Sequence, residues 1–119
     1  MSKIIGIIGT RRRDTIHDLK IVEEVFLRFY EPGDTICSGL CSKGGDRFAV
    51  ILADKYNTAT KWYPAQWKKY GRSAGFKRNL DIAKNSDILI ACVSSSRTGG
   101  TEDTIKKFTK LGKHTLVLV

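Results

Sequence analysis

The sequence predicts an α/β domain built on a parallel sheet, and three observations carry that prediction. Residues 4–8 (IIGII) and 88–93 (ILIACV) are continuously apolar, as strands covered on both faces must be. Between such runs, apolar residues recur at helical spacing. Strand-like and helix-like segments then alternate to the end of the 119-residue chain, the order that a parallel sheet with crossover helices requires.

Strands are expected over 3–8, 34–38, 59–63, 87–93 and 114–119. The first helix follows from Ile16, Leu19, Val22, Val25, Phe26 and Phe29, which repeat over about four turns on one face. Phe48, Ile51 and Leu52 mark a second helix, Leu80 and Ala83 a shorter third, and Ile105, Phe108 and Leu111 a fourth. There is no internal repeat, low-complexity tract or linker, so one domain spanning 1–119 is expected.

Composition narrows the function. Apolar residues make up 41% and charged residues 28%, ordinary values for a globular chain. No segment approaches the roughly 20 apolar residues of a membrane span, and none resembles a signal peptide, so a cytoplasmic protein is expected. The three cysteines, Cys37, Cys41 and Cys92, form an odd set suited to reduced thiols. Cys37 and Cys41 are four residues apart, but His17 and His114 lie far from them in sequence, which argues against zinc. The same scarcity of histidine gives little support to Cys–His or Ser–His catalysis. No metal or cofactor is called for.

Charge is the first informative excess. Lys and Arg number 21 against 12 Asp and Glu, a net +9 that favours anionic partners. In a parallel sheet, ligands bind beyond the carboxyl ends of the strands, near the point where strand order reverses. The loops there span 9–13, 38–47, 64–79 and 94–101. They hold 11 of the 21 basic residues and eight of the 11 glycines. Basic charge and permissive backbone thus gather on one edge, which favours an anion site over a merely solvated face.

Glycine admits a phosphate close to backbone N–H groups, and a helix N-terminus adds partial positive charge. Gly44-Gly45 and Gly99-Gly100-Thr101 both have this form. Asp46 opens the second helix, and Glu102 with Asp103 opens the fourth, where acids also serve as caps. A carboxylate repels phosphate, so in a binding role these groups suit ribose hydroxyls or a base edge. The 64–79 segment reads as a long loop, the kind that carries function. It holds Trp67 and Tyr70 among five basic residues, just after Trp62 and Tyr63, and aromatic faces can stack on bases.

The loop series GTRRR, SGLCSKGGD, YPAQWKKYGRSAGFKRN and TGGTED resembles the SLOG superfamily, in its small YspA/YpsA-related branch. The resemblance runs from about Ile4 to Leu111. Its most specific piece is Pro64-Ala65 with Trp67, Gly71-Arg72, Ala74-Gly75 and Arg78-Asn79. It implies a Rossmann-like domain of strand order 3-2-1-4-5 that binds, senses or sequesters a nucleotide-derived ligand such as an ADP-ribose- or NAD-related molecule. Relatives of this kind are associated with phage defence and stress.

Two relatives imply different activities. In LOG-type nucleotide hydrolases an arginine precedes strand four and GGxGTxxE follows it. Arg78 and Gly100-Thr101 match, but the motif's glutamate position holds Thr104, with Asp103 one residue earlier. N-glycosidic cleavage needs a placed carboxylate, so Arg78, Asp103 and Glu102 are the catalytic candidates for that alternative. The second relative is the DprA/Smf group of single-stranded DNA binders. Ser38-Gly39 followed by Gly45-Asp46 resembles its SGxAxGID-like loop, with one extra residue here.

On the binding reading, Gly44, Gly45, Gly99, Gly100 and Thr101 hold phosphate, with Arg11 and Arg78. Gly9, Thr10, Ser38, Gly39 and Asn79 complete the expected site. Asp46 and Asp103 face sugar hydroxyls, and Trp67 with Arg72 closes over the base. The apolar final run LVLV, at a sheet edge, needs cover, so a homodimer or larger homo-oligomer is expected.

Overall fold

The central strand is β1 (Ile4–Gly9), whose Ile5, Ile7 and Ile8 are buried, on both faces of the sheet. In the computed structural model, which describes residues 2–119, it pairs in parallel with β2 (Thr35–Ser38) and with β4 (Ile88–Cys92). Ile5 stands opposite Ile36 on one side, and Ile7 opposite Ile90 on the other. β3 (Ala59–Trp62) lies beyond β2, and β5 (Leu116–Leu118) beyond β4. The order is β3-β2-β1-β4-β5, as expected. The chain therefore reverses direction across the sheet between β1 and β4, and a crevice opens at their carboxyl ends.

Helix α1 (Ile16–Phe29) begins at a capping box. Thr15 Oγ1 accepts the Asp18 N–H at 3.1 Å, and Asp18 Oδ2 accepts the Thr15 N–H at 3.2 Å. α2 (Gly45–Tyr56) ends at Asn57, whose left-handed φ of 52° suits a short polar side chain. These two helices cover one face of the sheet. Ile5, Ile7, Val22, Phe26, Ile36, Phe48, Leu52 and Ile90 form the core there. Each such side chain contributes about 1.5–3 kcal/mol by leaving water, and truncating Phe26 or Phe48 to alanine would cost about 3–5 kcal/mol.

The opposite face carries α4 (Ala74–Asn85) and α5 (Gly100–Lys110) over Ile8, Cys37, Ile82, Leu89, Ala91, Ile105 and Phe108. Strand alternation explains the division: Ile5 and Ile7 point to α1 and α2, while Ile8 points to α4 and α5. Gly6 is required by a close approach, since a Cβ there would stand 2.2 Å from Ser86 Oγ.

The 64–79 segment departs from expectation. Only 63–66 is irregular; Trp67–Tyr70 forms the single turn α3, Gly71–Ser73 a 3-10 turn, and α4 begins at Ala74. Two glycines and a run of polar residues hide the helix in the sequence. Burial of Ala74, Asn79, Ile82 and Ala83 against the sheet and α5 draws the helix back by a turn and a half. Leu111 stands just past α5 and is exposed, so it is not part of the core expected for that helix. β5 is shorter than the run 114–119 and is half-buried at the edge. No described helix is long and apolar enough to cross a membrane.

Candidate functional site

Beyond the carboxyl ends of β1 and β4 lies a cleft of about 400 Å³. That is a volume in the range of small-molecule sites. One wall is the loop after β1, with Gly9, Thr10, Arg11 and Arg12. The facing wall is the start of α5, with Thr98, Gly99, Gly100 and Thr101. Arg78 and Asn79 enter from α4, Cys41 and Asp46 from the β2–α2 connection. Ile8, Ile82, Ser94 and Thr104 complete the lining.

The two glycine-rich helix starts differ. At α5, Gly99 has φ of 100°, a conformation that favours glycine, and no side chain caps the helix. A Cβ on Gly99 would meet nothing within 4 Å, so the helix end faces open space. No side chain caps α2 either, but its start is packed in: a Cβ on Gly44 would fall 2.3 Å from the Thr10 carbonyl oxygen. The Gly44 N–H is donated to Asp14 Oδ1 at 2.7 Å, and Arg47 Nε reaches the same oxygen at 2.7 Å. Gly45 lies against β1, where a Cβ would fall 2.1 Å from the Ile8 carbonyl carbon. Gly44 and Gly45 thus serve close packing and do not line the cleft.

The arginines also sort themselves. Arg13 turns back to Asp18 at 3.0 Å and to the Val119 carbonyl at 2.6 Å. Arg47 and Arg97 pair with Asp14 and Glu102. Among the described residues, Arg11, Arg12 and Arg78 have no carboxylate within ion-pairing distance. Arg78 is held by other means: its Nη1 donates to the Gly39 carbonyl and its Nε to Asn79 Oδ1, both at 3.0 Å. Asn79 Nδ2 donates to Asp103 Oδ2 at 3.0 Å, and Lys107 meets the same oxygen at 2.5 Å. A continuous polar chain therefore ties Arg78 to the first turn of α5.

The carboxylates fall into two groups. Asp46 is buried beside the cleft, with Oδ1 2.8 Å from Ser38 Oγ and Oδ2 accepting the Cys41 N–H at 3.0 Å. Asp103 and Glu102 do not line it: Lys107 and Asn79 hold the first, and Arg97 grips the second through two nitrogens at 2.8 and 2.9 Å.

Of the residues expected from sequence, Gly9, Thr10, Arg11, Asp46, Arg78, Asn79, Gly99, Gly100 and Thr101 come together around the cleft. Ser38 is buried beneath it, hydroxyl 2.5 Å from the Ile7 carbonyl. Gly39 sits behind Arg78. Trp67, 60% exposed on α3, and Arg72, in the 3-10 turn, lie outside. Sequence reasoning missed Arg12, Cys41, Ser94, Thr98 and Thr104. Nothing local in the sequence distinguishes Arg12 from its neighbours Arg11 and Arg13.

Fold and cleft together define the class: a Rossmann-like α/β domain with an electropositive crevice at the switch point of its sheet. No protein-family model, curated protein or solved structure matches the chain.

Proposed function

We propose that the chain binds a nucleotide-derived small molecule, holding its phosphate at the N-terminus of α5, as a sensor or a sequestering protein. The observation that carries this reading is the conjunction of an uncapped, open helix end with three cleft-lining arginines that pair with no carboxylate among the described residues. A helix N-terminus favours an anion by about 0.3–1 kcal/mol, and a charge-assisted hydrogen bond adds about 1.5–3 kcal/mol. Asp46 and Asn79 supply an acceptor and an amide where a sugar would follow the phosphate. The resemblance to the SLOG superfamily points the same way, toward ADP-ribose- or NAD-related ligands.

Binding outranks hydrolysis on the arrangement of the acids. Asp103 and Glu102, which a LOG-type cleavage would call upon, are engaged by Lys107 and Arg97. Single-stranded nucleic acid is disfavoured because Arg11, Arg12 and Arg78, three of the four arginines with no carboxylate partner among the described residues, line one cleft and do not track a groove.

The test is calorimetry with ribose 5-phosphate, AMP and ADP-ribose, alongside native mass spectrometry of freshly purified protein. At least one probe should bind, and Arg11→Ala and Arg12→Ala should each weaken it by about tenfold, the equivalent of one charge-assisted contact. Full affinity in the Arg11→Ala/Arg12→Ala double variant would sink the proposal. Release of free base on incubation would convert the reading to an enzyme.

A further inference from the structure

None of the described residues lining the arginine cleft is aromatic. The cleft offers phosphate and sugar chemistry but no face on which a base could stack. Next to it is a second pocket of about 90 Å³, with Tyr63 and Tyr70 in its walls; Trp62, at its rim, packs toward the core under α1 and α2. Arg78 borders both spaces. We infer that this aromatic pocket holds the planar base of the nucleotide whose phosphate occupies the cleft, the ligand crossing Arg78 between them. The inference rests on the phosphate reading above and adds where the ring goes.

Several features support it. Trp62 ends β3, and the Tyr63 N–H continues the ladder to the Ser38 carbonyl at 2.8 Å. The pocket therefore opens on the same sheet edge as the cleft. Its volume suits one ring system and no more. Lys77 and Arg78 offer donors and Asp81 an acceptor around the aromatic walls, which fits a heteroaromatic ring with a hydrogen-bonding edge better than a plain aryl group. The ammonium groups of Lys69 and Lys77 lie 5.1 and 4.7 Å from the Tyr70 ring centroid, so this wall is electropositive. Arg78 is fixed through Nε and Nη1, while its Nη2 has no partner among the described residues and is left for the ligand.

The experiment compares ribose 5-phosphate, which has no base, with AMP and ADP-ribose on the full chain. AMP or ADP-ribose should bind about tenfold or more tighter than ribose 5-phosphate, as expected for base stacking on an aromatic side chain. Tyr70→Ala should erase that advantage and leave ribose 5-phosphate binding unchanged, whereas Tyr70→Phe should keep it. Tyr70 is at the surface, so neither change threatens the core. Equal affinity for all three probes, or an advantage that survives Tyr70→Ala, overturns the base pocket and leaves the phosphate site standing. No binding of any probe overturns both.

Discussion

The Asp14 carboxylate ties the β1–α1 loop to the start of α2 by accepting the Gly44 N–H at 2.7 Å, across 30 residues of sequence. With Gly44 packed on Thr10 and Gly45 on Ile8, this glycine-rich helix start lies away from the cleft, whereas Gly99 and Gly100 line it. With Arg47 on the same Asp14 oxygen, the charge at the α2 end is met internally. The end of α5 has no side-chain cap and lines the cleft.

Asp14 gives the fold an acid-sensitive contact. The Gly44 N–H first, and Arg47 second, hold its carboxyl below the ordinary value of 3.8. The folded state thus prefers the ionised form. Its contribution to stability is complete above that ordinary value and disappears as pH falls through the lowered folded one. Asp14→Asn should therefore lower Tm at pH 6–7 and match the parent at the acid end of a thermal titration. A constant difference across that range would show that the charge is irrelevant.

Gly45 and Gly100 stand at matching places in sequence pattern but should respond oppositely to alanine. At Gly45 the added methyl would collide with β1 backbone at 2.1–2.3 Å, atoms that cannot swing aside. A loss of about 3 kcal/mol is expected from overpacking of this kind. At Gly100 the nearest atom is Asn79 Nδ2 at 3.9 Å, so alanine should cost nothing and add a few tenths of a kcal/mol through helix propensity. Denaturant midpoints of the two variants distinguish these outcomes.

The cysteines should label unequally. Burial pushes the Cys37 thiol up to about 11, and Cys92 is also raised by burial. Cys41 is partly exposed, lines the cleft and has Arg11 Nη2 3.7 Å from its sulfur. Iodoacetamide on the native protein should modify Cys41 alone, read by peptide mass spectrometry, with Cys37 and Cys92 reacting only after denaturation. Saturating AMP or ADP-ribose should slow the Cys41 reaction.

Lys113 closes the carboxyl end of α4. Its ammonium donates to the carbonyls of Ala83 (3.1 Å), Lys84 (2.6 Å) and Ser86 (2.7 Å). A cation there satisfies terminal carbonyls and complements the helix dipole. Lys113→Met keeps most of the aliphatic stem and removes the donors, at an expected cost of about 1–3 kcal/mol in chemical denaturation. Lys110→Met, an exposed change one turn earlier, should be neutral within about 0.5 kcal/mol.

The sequence by itself determined the sheet and the place of the site. Continuous apolar runs at Ile4–Ile8 and Ile88–Val93 can persist only where both faces are covered, and their alternation with helical spacing leaves a parallel sheet. Glycine and arginine collect in segments whose position follows from strand direction, so the carboxyl edge was readable before any contact was known. Tertiary structure decided which charges remain available. Arg13 finds Asp18 and the Val119 carbonyl, Arg47 finds Asp14, and Glu102 finds Arg97, leaving Arg11, Arg12 and Arg78 to the cleft. Only packing could turn 67–85 largely helical, because the burial that stabilises α4 comes from a sheet and a helix distant in sequence. Periodicity reports which face of a segment is apolar; whether a charge is spent or free depends on what the folded chain brings within a few ångströms of it.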